Sequence, residues 1–200
     1  MVKIKICGLK RLEDIEIVNR YNPDYVGFVF ANTKRYVSHE LARQLKNNLN
    51  SNIMSVGVFV DAPKEEILEL FNEGIIEIAQ LHGTESEDYI IDLKENTNNE
   101  LKIINAIEMS NDTDLLEYDS SNADYLLLDS GKGSGKTFDW RLIRKDLKKE
   151  FFLAGGLNNL NIRQAVDEFN PYAVDLSSSL EVNGFKNEDK IKEIMEIINE

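Results

Sequence analysis

Lys3-Ile4-Lys5-Ile6-Cys7-Gly8-Leu9 opens the chain with a short alternating run that stops on a thiol and a glycine. A period of two is the mark of a strand, and a glycine directly after it marks the turn out. The same form returns along the chain. Strand-like runs cover 2–6, 25–30, 53–60, 75–81, 101–107, 123–129, 151–154 and 172–177, with helical patterns between them. Several of these runs are nearly continuous in apolar residues, as strands covered on both faces are. Eight strand–helix units in 200 residues predict an α/β fold, a single-domain (β/α)8 TIM barrel over 1–200.

The helical segments carry their own start signals. Ser38 caps a helix presenting Leu41, Ala42, Leu45 and Leu49, Asp61 with Pro63 opens another, and Thr84 with Glu87 forms a capping-box pattern. A fifth helix is expected over 112–118. The last helix sets Ile191, Ile194, Met195 and Ile198 on one face, with charges elsewhere.

Composition narrows the function. No apolar run approaches the roughly 20 residues that span a bilayer, so no membrane is expected. A net charge of −13 argues against nucleic acid, whose phosphates call for a basic surface. The single cysteine excludes an internal disulfide and fits a reducing, cytoplasmic setting. An anionic ligand would have to be held by local features, an arginine or helix N-termini, against the field of the whole chain.

Ser130-Gly131-Lys132-Gly133-Ser134-Gly135-Lys136-Thr137 is a near miss to a phosphate-binding P-loop, with Ser130 where the first glycine of that motif belongs. It supports two readings: a nucleotide site using Lys136 and Thr137, or a glycine-rich active-site loop after the sixth strand.

In a barrel the strand ends point into the catalytic mouth. Cys7 ends the first strand, Gln80 and His82 the fourth, Asp129 the sixth, and Asp175 with Ser177-Ser178-Ser179 the eighth; Arg35 follows the second and Gly155-Gly156 the seventh. Singly, each has a plain structural reading. Cys7 is equally a small buried hydrophobe, His82 a satisfied core histidine, and Lys34-Arg35 a solvated pair. Gathered at one rim, they point to a site.

The ordered words Lys5-Ile6-Cys7-Gly8-Leu9, Gly27-Phe28-Val29-Phe30, Gly57-Val58-Phe59-Val60, Gln80-Leu81-His82-Gly83, Leu127-Leu128-Asp129, Thr137-Phe138-Asp139-Trp140 and Leu153-Ala154-Gly155-Gly156-Leu157 span nearly the whole chain. Together they resemble the phosphoribosylanthranilate isomerases of tryptophan biosynthesis. The resemblance implies an Amadori rearrangement of N-(5'-phosphoribosyl)anthranilate to 1-(2-carboxyphenylamino)-1-deoxy-D-ribulose 5-phosphate, without metal or cofactor. By it, Cys7 corresponds to the general base and Asp129 to the general acid, and Arg35 to the arginine that holds the anthranilate carboxylate. Gly155 and Gly156 correspond to one phosphate-binding turn, and Ser178 with Ser179 to its partner. Gln80, His82 and Asp175 join the substrate site. The implied partner is a small anionic substrate bearing phosphate and carboxylate, bound by a monomer or homodimer.

The chemistry sets requirements. An aspartate of ordinary acidity is almost wholly ionised at neutral pH, so the acid needs apolar walls, which Tyr125-Leu126-Leu127-Leu128 offers. An ordinary thiol is mostly protonated there, and Lys10 or the helix starting near Arg11 is a candidate to favour the thiolate.

The chain departs from the family's words at Lys10, at Thr33-Lys34 before Arg35, and at Ser179, which replaces a glycine. If that position has positive φ or meets phosphate closely, serine brings strain or weaker binding. Asn187 is expected to cap the last helix. Two further functions stay open on sequence alone: a barrel that binds without catalysis, and a related phosphosugar isomerase, which Cys7 in place of an aspartate disfavours.

Overall fold

The computed structural model describes residues 2–131 and 137–199. Lys136 of the P-loop-like stretch falls outside them. Eight parallel strands close into a barrel in sequence order. The first half runs β1 (Lys3–Cys7), α1 (Leu12–Tyr21), β2 (Tyr25–Val29), α2 (His39–Asn47), β3 (Met54–Phe59), α3 (Lys64–Asn72), β4 (Ile78–Leu81) and α4 (Glu87–Asn96). The second half runs β5 (Lys102–Glu108), α5 (Leu115–Asp119), β6 (Tyr125–Asp129), β7 (Phe151–Leu153), α6 (Ile162–Phe169) and β8 (Ala173–Leu176). A small antiparallel pair, β9 (Glu181–Val182) and β10 (Phe185–Lys186), then leads into α7 (Glu188–Asn199). No helix of the described residues is long and apolar enough to cross a membrane.

Two cores follow from the two faces of the strands. Ile4, Ile6, Val26 and Phe28 face outward and pack with helical residues such as Ile15, Val18, Ala42 and Leu45. Tyr25, Val56, Ile78, Ile104, Leu127 and Phe152 fill the inside of the barrel. At its N-terminal end, Phe152 packs its ring 5.4 Å from Tyr25, 5.6 Å from Tyr125 and 5.7 Å from Tyr172. The Tyr172 hydroxyl there accepts a hydrogen bond from Lys3 Nζ at 2.6 Å and lies 3.0 Å from the Tyr25 hydroxyl. The floor of the barrel is thus closed by aromatic rings.

The structure corrects several expected elements. Eight helices were expected, but among the described residues the sixth unit holds only a 3-10 turn over Trp140–Leu142. Arg141 and Arg144 there bond to Asp139 and Asp146, two residues away. Side chains at that spacing do not share a helix face, so these local pairs favour irregular backbone. Thr137 consequently precedes no helix of the kind a P-loop requires. The cap of α4 is Ser86, whose Oγ accepts from the Tyr89 amide at 3.2 Å; Thr84 instead bonds Asp61. α5 begins at Leu115, behind Asp114, which accepts from the Leu116 amide. β4 is shorter than the apolar run 75–81, because the amide of Ile75 bonds to Leu70 in the turn leading to it. Ser38 and Asn187 cap α2 and α7 as expected, through the amides of Leu41 and Lys190.

Phe152→Ala should lower the unfolding free energy by about 3–5 kcal/mol in urea titration, since it opens a cavity among three tyrosine rings that cannot close over it. A loss below about 1 kcal/mol would show that this floor is not a determinant of stability.

Candidate active site

β1 and β8 pair so that Lys5 and Asp175 are register partners, and their side chains meet inside the barrel with Nζ and Oδ2 2.9 Å apart. Lys5 has no solvent exposure at all. Two residues on, and therefore on the same inward face, Cys7 ends the strand just above this ion pair. Its thiol packs against Val29 and Val58. Gly27, its register partner on β2, makes the room: a Cβ there would stand 2.7 Å from Sγ. Burial pushes the Cys7 thiol up from its ordinary pKa, with Lys5 the strongest opposing influence. Lys5 itself is held above its usual range, because Asp175 and Cys7 outweigh the penalty of burial. The thiol's cationic neighbour is therefore Lys5, not Lys10. Lys10 Nζ instead bonds to the Lys34 carbonyl and sits 4.8 Å from the Phe185 ring centroid.

Asp129 ends β6 and is 8% exposed. One oxygen accepts from the Ser130 amide at 2.8 Å; the other lies 3.5 Å from His82 Nε2. Gln80 Nε2 stands 3.3 Å from His82 Nδ1. Which of these two nitrogens donates is set by the His82 tautomer, and Nε2 is the ring nitrogen turned toward Asp129. Gln80 Oε1 and Asp175 Oδ1 are buried without a hydrogen-bond partner among the described residues.

Arg35 crosses over Gly8, whose φ of +85° and lack of a Cβ the crossing requires: an added Cβ would stand 2.3 Å from Arg35 Cδ. Its guanidinium is forked onto Glu181, with Nε at 2.7 Å and Nη2 at 3.0 Å. Glu181 also accepts from the buried Lys186, which in turn bonds the Ser177 carbonyl at 3.0 Å. Burial opposes the charge on Glu181, but Arg35 and Lys186 prevail and hold its carboxyl down at about 2. On the other side, Gly155 and Gly156 adopt φ of +79° and +66°. The side chains of Asn158 and Asn161 hold that turn through the Gly156 carbonyl. Ser178 and Ser179 form a 3-10 turn after β8, and Ser179 is not in the left-handed region, so serine there carries no backbone strain.

Cys7, Arg35, Gln80, His82, Asp129, Gly155, Gly156, Asp175, Ser178 and Ser179 all line one cavity of about 1000 Å³ at the C-terminal mouth. The sequence reading did not single out Lys5, Lys186 or Glu181, which hold lining residues in place from behind. Glu181 was visible only as the last letter of the serine-rich word, and Lys186 lies in a hairpin that has no periodic signal.

A family model described as N-(5'phosphoribosyl)anthranilate (PRA) isomerase matches residues 4–197. An N-(5'-phosphoribosyl)anthranilate isomerase of Endomicrobium trichonymphae is 44% identical, covering 99% of this chain and 98% of its own. A solved phosphoribosyl anthranilate isomerase in complex with reduced 1-(o-carboxyphenylamino)-1-deoxyribulose 5-phosphate superposes with a TM-score of 0.86 at 36% identity, over 100% of this chain and 99% of that one. Monomers generated from the dimeric enzyme of Thermotoga maritima superpose with a TM-score of 0.87, also at 36% identity and with the same coverage.

The Glu181 carboxyl is more acidic in the fold than its ordinary 4.5, so the stability it contributes is complete above about pH 4.5 and is lost as pH falls toward 2. Glu181→Gln should unfold at lower urea than the parent at pH 7, and the gap should narrow as pH is lowered from about 5 to about 3. A gap of equal size at both ends would show that the charge is not what Glu181 contributes.

Proposed function

The chain belongs to the N-(5'-phosphoribosyl)anthranilate isomerase family, enzymes of tryptophan biosynthesis, and from that premise we propose that Asp129 and Cys7 carry out the rearrangement as acid and base. The observation that supports this reading is the convergence of a thiol from β1 and a carboxyl from β6 on one cavity, each with its own electrostatic partner. Asp129 delivers a proton to the furanose ring oxygen of N-(5'-phosphoribosyl)anthranilate, and the bond from that oxygen to C1 breaks. The nitrogen lone pair closes the resulting iminium. His82 Nε2–H then faces the carboxylate left behind and stabilises it.

The iminium acidifies the proton on C2, and the Cys7 thiolate removes it to give an enolamine. Reprotonation at C1 and loss of the enol proton yield 1-(2-carboxyphenylamino)-1-deoxy-D-ribulose 5-phosphate. Burial disfavours a thiolate in the resting protein. The reactive form is the fraction whose thiol has already given its proton to water, and Lys5, then the cationic iminium, stabilise that thiolate. The remaining edge of the Arg35 guanidinium, beyond the Glu181 fork, is aimed at the anthranilate carboxylate. Asp175 and Gln80 line the floor of the cavity beneath the sugar. The Gly155–Gly156 turn and the serines after β8 take the phosphate. No step calls for a metal or cofactor, and a monomer or homodimer in the cytoplasm is the assembly and setting this reading carries.

The fluorescence decay of N-(5'-phosphoribosyl)anthranilate, generated in situ, tests the reading. Asp129→Asn and Cys7→Ser should each lower kcat by at least about 10³-fold with KM changed less than about fivefold, the pattern of lost transition-state interactions. In the parent, kcat/KM should keep rising above pH 8, because the thiol is pushed up by burial. Turnover undiminished in either variant removes that residue from its role; a flat profile from pH 7 to 9 removes the thiolate.

A further inference from the structure

Lys190 stands in the first turn of α7 and leans over the mouth, lining the cavity beside Ser178, Ser179 and Gly156. The capping of that turn by Asn187, through the Lys190 amide at 3.1 Å, fixes where the side chain starts. Its Nζ donates to the Ser179 carbonyl at 3.2 Å and makes no ion pair among the described residues. Arg35, by contrast, has its charge met by Glu181.

The neighbours of Lys190 have donors to spare as well. Ser179 Oγ is buried with no hydrogen-bond partner, and the amides of Gly155 and Gly156 find no acceptor among the described residues. An ammonium has three donors, and one is in use. Hydroxyl, amide and ammonium donors therefore collect at one end of the cavity with no anion of the protein's own to satisfy them.

We propose that Lys190 is the charged ligand of the substrate's phosphate and sets the preference of this site for a phosphorylated sugar. The identity of that substrate rests on the isomerase reading above. Backbone amides and hydroxyls bind phosphate without a net charge, and a dianion entering a chain of net charge −13 meets an adverse field. A cation fixed to the Ser179 carbonyl offsets that field at the point of contact and adds a charge-assisted hydrogen bond. Its place on α7 ties the phosphate end of the mouth to the last helix.

Lys190→Met, Lys190→Gln and Lys190→Arg test this, by steady-state kinetics and by calorimetric titration with inorganic phosphate. The Met and Gln variants should raise KM and the phosphate Kd about tenfold each, or about 1.4 kcal/mol, with kcat within about twofold of the parent. Arg should stay within about threefold on both measures. Unchanged KM and phosphate Kd in Met and Gln would overturn the proposal, as would a fall in kcat alone. A parent that binds no phosphate would overturn it too. The calorimetry needs no turnover: a parent that binds phosphate without isomerising overturns the isomerase reading and leaves Lys190 to be judged by its effect on Kd.

Discussion

The barrel closes on a buried ion pair. Lys5 is tolerable in the interior only because Asp175 stands beside it, and Asp175 stands there only because β8 meets β1 in a single register. A slip of β8 by one residue against β1 would turn Asp175 outward among the helices and bring Val174 or Leu176 inside opposite Lys5. Losing one partner of such a pair costs about 3–5 kcal/mol, far more than the pair itself contributes over an apolar replacement. The pair is thus better understood as a device of specificity and of chemistry than as a source of stability. It fixes the seam, and it lays a positive charge under the only thiol in the chain.

That arrangement also explains what the sequence disclosed and what it withheld. The period of two in Lys3-Ile4-Lys5-Ile6-Cys7 shows that both lysines and the cysteine share a face. It does not say which face is inside. In most strands the apolar set marks the interior, but a barrel wrapped by helices buries both sides, and here the isoleucines face the helices. Lys5 therefore passes for a solvated residue until the sheet is closed. The ten site residues were legible because strand ends in such a barrel converge by topology, whatever their chemistry. Glu181 and Lys186 were not, because their positions depend on a four-residue antiparallel pair with no pattern of its own. That the described residues of the sixth unit form no α-helix has a local cause as well: the two arginine–aspartate pairs compete with a helix over distances that periodicity does not weigh.

An acidic protein whose proposed substrate carries both a phosphate and a carboxylate needs its few cations held in place. Glu181 does this for Arg35 by gripping two of its nitrogens, and Lys186 braces Glu181 from behind. The brace has a second effect. It offsets part of the negative charge brought in by Glu181, so that Arg35 is aimed without being fully neutralised. A lone arginine at this loop would have more potential and less direction, and for a planar carboxylate direction decides the outcome.

Asp129 and Cys7, proposed as acid and base, are supported by one rule of strand geometry. Lys5 lies two residues before Cys7, and Gln80 two residues before His82, the residue that faces Asp129. Two is the smallest spacing that points both side chains into the same lumen. It places each supporting group one layer deeper in the barrel than the group it serves. Depth is useful here, because the deeper layer is dry and its dipoles do not reorganise when charge develops above them. Lys5 has no exposure and Gln80 is 2% exposed, whereas Cys7 and Asp129 sit at the boundary with the cavity, both at 8%. The chain thus separates the groups that must meet substrate from those that must stay fixed, using only the pleat of the strand.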